Sequence, residues 1–122
     1  MKKKVLSILI LLAWIPLVSN AALVTCDNVY ISDVWVEGNR DDGFVLQNTM
    51  LIRIKDTGGV YTQCNGKDYF HLENTSQAFS GMLSIALTAQ TTGKQVQISI
   101  NTNQSTSNAY SYQIAYIRIK SN

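Results

Sequence analysis

A hydrolase of the Ser-His-Asp or Cys-His type would have to use His71, the only histidine in the chain. It lies in Tyr69-Phe70-His71-Leu72, a strand-like stretch with no nucleophile motif beside it, and reads as a structural or surface histidine. Asp41-Asp42 could suggest a carboxylate pair or a calcium loop, but the spaced oxygen ligands of such a loop are missing, and a solvated turn is the default. No glycine-rich phosphate loop is present. Cys26 and Cys64 are the two cysteines. In an oxidising compartment an even pair reads as a disulfide. Metal ligation is the rival, poorly served by a single histidine and no Cys or His cluster. Lipidation is another, since Leu23-Val24-Thr25-Cys26 faintly resembles a lipobox; Thr25 is large for the position before the cysteine, and Cys64 would lose its partner. The residues thus point away from catalysis, metal and cofactor, and towards binding. A sugar site needs an aromatic platform and a few polar groups. Trp35, Tyr110, Tyr112 and Tyr116 could supply the first; Ser32, Asn101 and Asn103 the second. The competing reading makes the tyrosines sheet residues that pack a barrel or a subunit interface.

The N-terminus says where such chemistry would operate. Met1-Lys2-Lys3-Lys4 is a positive start, Val5 to Val18 is apolar apart from Ser7 and Pro16, and Ser19-Asn20-Ala21-Ala22 is a small-residue site. This is the layout of a secretory signal peptide over residues 1–21, followed by one domain over 22–122. The apolar run is short of the roughly 20 residues of a membrane span; an uncleaved anchor is the alternative. A periplasmic or secreted product follows. Without the leader the chain carries seven basic and eight acidic residues, a net charge of −1. That balance argues against nucleic acid and anionic lipid as partners.

The elements that must position these residues read as follows. Val29–Val36 is a strand, with Val29, Ile31 and Trp35 on one face. Gly38 to Gly43 is a loop. Phe44–Lys55 is a second strand, and Asp56-Thr57-Gly58-Gly59 a tight turn. An extended stretch runs from Val60 to Leu72, interrupted at Asn65-Gly66. A helix spans Ala78–Thr91, with Asn74 or Thr75 as cap, Gln77 as capping-box partner and Gly93 at its end. Phe79, Met82, Leu83, Ala86 and Ala89 form its apolar face; Ile85 and Leu87 widen it towards a second contact or deep burial. Lys94–Asn101 alternates cleanly, with Val96, Ile98 and Ile100 inward. A polar loop follows, then a last strand Ala109–Ile119 with Tyr110, Tyr112, Ile114 and Tyr116 on one side. Three strands, a helix and two strands is the order of the five-stranded Greek-key barrel called the OB fold. A plain sheet with a covering helix fits the same string, but closure would remove the exposed edges of such long strands.

Three segments carry a family resemblance. Ile31-Ser32-Asp33-Val34-Trp35-Val36 with Gly38 resembles the first strand of the B subunits of typhoid toxin and subtilase cytotoxin. Thr91-Thr92-Gly93-Lys94-Gln95-Val96-Gln97-Ile98 resembles their passage from helix to strand, and Val60 to Cys64 their third strand. The chain also resembles small exported proteins of Gram-negative bacteria. The toxin resemblance implies an OB fold, a homo-pentamer, a toxin A subunit as partner, and a sialylated glycan or glycoprotein receptor bound through the serine matching Ser32. The chain departs from the family in having no cysteine in Phe44–Lys55 and none near its C-terminus. A periplasmic module that binds or inhibits another protein, probing with the Gly38–Gly43 loop, is the alternative function.

Overall fold

The computed structural model describes residues 23–103 and 107–121; the leader expected over residues 1–21 lies outside them. Five strands form a closed barrel: β1 (Leu23–Glu37), β2 (Thr49–Lys55), β3 (Tyr69–Glu73), β4 (Val96–Asn101) and β5 (Tyr112–Ile119). The helix α1 (Phe79–Thr92) falls between β3 and β4. Around the ring the order is β1-β2-β3-β5-β4, with β3 and β5 parallel and every other pair antiparallel. This is the OB arrangement expected from the sequence. Among the described residues no helix is long and apolar enough to cross a membrane.

β1 is longer than its apolar run suggests, because it serves two neighbours. Its first half pairs with β4 and its second with β2. Two extra residues allow the bend. One falls between Cys26 and Val29, where Asn28 takes φ 55°, and the other is Ser32, between Ile31 and Asp33. A bulge changes which face the following residues occupy. Val34 therefore packs against the core, and Trp35 does not share the face of Val29 and Ile31. The same device acts in β5, where Ser99 pairs with Tyr116 and Ile100 with Ile114, leaving Ala115 without a partner in β4. Ile114 and Ile117 are buried while Tyr116 is exposed, so the expected shared side of Ile114 and Tyr116 is broken.

The core draws on every element. Met50, Ile52 and Ile54 of β2, Phe70 of β3, and Val96, Ile98 and Ile100 of β4 are completely buried. Ala86 and Ala89 close one end from α1, with Phe79, Met82 and Leu83 partly buried beside them, as their helical spacing predicts. Ile85 and Leu87 are exposed. Gly93 ends the helix in the left-handed region at φ 64°. The start differs from expectation. Ala78 is the cap residue, no side chain caps it, and Asn74 and Thr75 belong to the preceding turn. Phe44–Asn48 is not strand but the end of a long β1–β2 loop (residues 38–48), leaving β2 to begin at Thr49.

Cys26 and Cys64 are joined, with their Cα atoms 6.0 Å apart. Residues 56–68 make an excursion between β2 and β3, and the disulfide pins it to β1. Within it, Asn65 (φ 52°) and Gly66 (φ 86°) form a tight turn closed by two backbone bonds between Cys64 and Lys67. Positive φ at both central residues suits an Asn-Gly pair.

Candidate functional site

Two adjoining clefts flank the β4–β5 loop, one facing the β1–β2 loop and β3, the other facing the excursion between β2 and β3. The first, of about 330 Å³, is lined by Val45–Thr49, His71, Glu73, Asn74, Thr75, Ser107 and Asn108. The second, of about 420 Å³, is lined by Lys67, Thr102, Ser107, Asn108, Ala109 and Tyr112. Ser107 and Asn108 belong to both.

The β1–β2 wall is held by its own polar residues. Asn48 sits at φ 57°, donates its backbone N–H to Gly38 O at 3.2 Å, and donates from Nδ2 to Asn39 Oδ1 at 2.7 Å. Its carbonyl accepts the Asn74 N–H at 3.0 Å, bringing the turn after β3 alongside. Arg40 bridges Glu37 and Asp42 and lies 4.6 Å over the Phe44 ring. The hydrogen bond from Arg40 holds the Asp42 carboxyl below its ordinary value. Leu46 is buried although it lies outside the barrel core, and Thr49 Oγ1 donates to its carbonyl. A loop anchored by a buried leucine and tied by ion pairs is a pre-formed wall, which limits the ordering cost of binding.

The β4–β5 wall turns on Asn108. Its Oδ1 accepts from Tyr110 N at 2.8 Å and Ser111 N at 3.0 Å. Its carbonyl accepts from Lys67 Nζ, whose ammonium rests 4.0 Å over the Tyr112 ring. Beneath the first cleft, His71 Nδ1 is 3.0 Å from Ser111 Oγ, which also lies 3.0 Å from Tyr69 O. A histidine beside a serine invites a nucleophilic reading, but Ser111 is completely buried, so no substrate can reach its oxygen. A serine proton given to Tyr69 O makes Nδ1 the donor of the pair, the reverse of base activation. The contact instead fastens β5 to β3, which share only the register pairs Phe70–Tyr112 and His71–Gln113. Among the described residues no group of His, Cys, Asp and Glu could hold a metal ion.

The residues expected to bind fall in two places. Asn101, Asn103, Tyr110 and Tyr112 cluster at the base and rim of the β4–β5 loop. Asn101 Nδ2 donates to Gln113 Oε1 at 3.0 Å and its carbonyl accepts from Ser107 Oγ, while Asn103 O accepts Ser107 N at 3.1 Å. Tyr110 is 66% exposed. Tyr112 alone of the six lines a cleft. Ser32 and Trp35 sit apart on β1. The register row Trp35–Leu51–His71–Gln113–Asn101 runs around the barrel from Trp35 to this cluster, over the buried Leu51 and His71. At ~4.8 Å per strand that row measures about 19 Å from Trp35 to Asn101.

Ser32 is the bulge residue of β1. Its Oγ reaches Arg53 O and Asp33 Oδ2, each at 3.0 Å, and its carbonyl accepts from Gln90 Nε2 of α1. Trp35 meets Tyr69 edge-on at 5.8 Å and donates to Glu37 Oε1. Arg53 lies 3.5 Å over Tyr61 and 4.9 Å over Tyr69 and pairs with Asp68. Trp35, Tyr69, Arg53 and Tyr61 thus make an aromatic and cationic column on the outer face of β1, β2 and β3. Tyr116 lies elsewhere on the β4–β5 surface, donating to Gln97 Oε1 at 3.1 Å.

Gln47, Asn48, Lys67, Asn74, Thr75, Ser107 and Asn108 line the clefts, and sequence reasoning expected none of them to bind. Their signal was faint: amide- and hydroxyl-rich runs at the loop positions where OB barrels bind. Protein-family models give no match to this chain, and curated proteins give none either.

Proposed function

We propose that the protein is an exported, non-catalytic binding module, like a toxin B subunit, that takes a glycan in the two adjoining clefts beside its β4–β5 loop. One observation carries the reading. An OB barrel presents, at the loops this fold uses for oligonucleotides and oligosaccharides, two joined clefts lined mainly by neutral amides and hydroxyls. Such groups match sugar hydroxyls in donor and acceptor count, and Tyr110 offers an exposed ring face at the rim. A net charge of −1 outside the leader disfavours the oligonucleotide. The leader and the disulfide together support an oxidising destination, periplasmic or secreted.

Glycan-array binding of the parent, Asn108→Ala and Ser32→Ala tests the proposal. Asn108→Ala should lose binding, and Ser32→Ala should keep it if the clefts hold the ligand. Loss in Ser32→Ala alone would move the site to the serine that the toxin resemblance indicates. A folded parent that binds nothing on the array ends the glycan reading. Sedimentation tests the pentamer that the resemblance implies.

The column of Trp35, Tyr69, Arg53 and Tyr61 favours a second reading, a protein-binding or inhibitory module, because Trp, Tyr and Arg dominate binding hot spots. Val60 and Tyr61, 64% and 52% exposed, would lead that contact.

A further inference from the structure

We propose that the Cys26–Cys64 disulfide sets the shape of the second cleft through the Cys64–Lys67 turn, so that this site binds in the oxidised protein and is lost on reduction. The inference rests on the cleft reading above and adds its regulation.

Each link in the chain is a contact. Cys64 is completely buried and bonded to Cys26, which pairs with Ile98 in the β1–β4 ladder. Cys64 opens the left-handed turn that ends at Lys67. From that turn two side chains cross to the β4–β5 loop and the start of β5. Asn65 Nδ2 donates to the Tyr112 hydroxyl at 3.1 Å, and that hydroxyl lies 3.0 Å from Asn65 O. Lys67 covers the Tyr112 ring and donates to Asn108 O. Lys67, Asn108 and Tyr112 are themselves walls of the second cleft, and Asn108 also lines the first. The turn therefore grips one wall while the disulfide grips the turn.

Other ties on this segment are sparse. Between Tyr61 and Asp68 there is no strand: the backbone is tied by the isolated bridges Lys55–Tyr61 and Cys64–Lys67 and a bond from Thr62 N to Ile54 O, and Arg53 and Asp33 hold the two ends through Asp68 and Tyr61, leaving residues 63–67 to the disulfide and the contacts above. The barrel ladders do not run through it, so releasing Cys64 frees the turn before it disturbs the ring.

Cys26 is half-buried and Cys64 fully buried, so an external dithiol attacks at Cys26 Sγ. The attacking thiolate forms a mixed disulfide with Cys26 and expels Cys64 as a thiolate, which takes a proton. The second thiol of the reagent then displaces Cys26. The protein gains two electrons and two protons, and the reagent becomes a disulfide.

The test compares oxidised and dithiothreitol-reduced protein at low temperature by amide NMR and by titration with the strongest glycan from the array. Reduction should shift residues 64–67 and 107–112 while the β1–β2 ladder stays in place. Affinity should fall at least about tenfold, the loss of ~1.4 kcal/mol of contacts, and reoxidation should restore it. If reduction unfolds the whole chain, Lys67→Met with the disulfide intact replaces it. That variant should show the same local shifts and the same loss, and Lys67→Arg should recover most of both. The proposal is overturned if residues 107–112 keep their shifts on reduction, or in Lys67→Met where reduction unfolds the chain. It is also overturned if the reduced protein, or Lys67→Met in its place, binds as tightly as the parent. An oxidised parent that binds no glycan removes the proposed function, and the amide shifts still decide whether the disulfide shapes the cleft.

Discussion

Ser111→Ala is the sharpest probe of how the barrel is closed. The side chain is small and completely buried, so the change opens almost no cavity. It removes one hydroxyl that meets His71 Nδ1 and Tyr69 O, both at 3.0 Å. Those contacts join β5 to β3 at a boundary of only two register pairs. Deleting one partner of a buried hydrogen bond costs about 1–3 kcal/mol, because the group left behind stays desolvated. For a domain of about 100 residues each kcal/mol lowers the melting temperature by roughly 4–8 °C. A loss near 2 kcal/mol should thus appear as a drop of about 8–16 °C. Urea unfolding followed by Trp35 fluorescence gives the energy directly, and an unchanged slope with a lower midpoint would show a loss of stability with no change in the surface exposed on unfolding. Thr57→Ala, on an exposed turn, is the control. A midpoint for Ser111→Ala indistinguishable from that control would mean that the hydroxyl does not hold the boundary, and the structural reading of His71 would fail with it.

Three further outcomes are expected. Cys26→Ser with Cys64→Ser should cost about 4 kcal/mol by the chain-entropy model for a separation of 38 residues, measured by urea unfolding of the double variant. Met82→Asp places a carboxylate against the core and should cost several kcal/mol, so a parental melting curve would mean that this helix face is not buried. Gln97 and Lys120 hold the Asp27 carboxyl below its ordinary value of 3.8. A depressed folded value means that the unfolded chain binds more protons just below pH 3.8. The stabilisation is therefore present above that pH and is lost as pH falls through the folded value. Asp27→Asn should flatten this acid limb, and salt should shrink the difference.

Regular segments were legible in the sequence. Val96, Ile98 and Ile100 alternate in a short strand and are all buried. Phe79, Met82, Ala86 and Ala89 mark a helix face by spacing, and Gly93 ends it at positive φ. Cys26 and Cys64 pair because nothing else in the chain competes for them. The irregular residues were hidden. Nothing in Ile31-Ser32-Asp33 announces an extra residue, yet that one insertion sends Trp35 to the outer surface and Val34 to the core. Ala115 does the same to Tyr116. Phe44–Asn48 alternates well enough for a strand, but Asn48 at positive φ and a buried Leu46 make it loop. The clefts escaped for another reason. Their walls come from residues 45–49, 67, 71, 73–75, 102, 107–109 and 112, and only the closed ring makes these neighbours.

The double duty of β1 also shapes how the molecule comes into being. Thr25 meets Ser99 across 74 positions of chain. As the chain folds, the first half of β1 must wait, unpaired, until β4 is in place, while the second half can already find β2. Pairings this remote form slowly because a long loop must be closed before any contact rewards it, and barrels of this kind fold in milliseconds to seconds. Over that interval Leu23 to Val29, with Cys26 among them, stays open to solvent. Cys26 stays partly accessible in the finished barrel, so its thiol remains open until Cys64 reaches it, and the timing of disulfide formation follows the docking of residues 56–68 on β1.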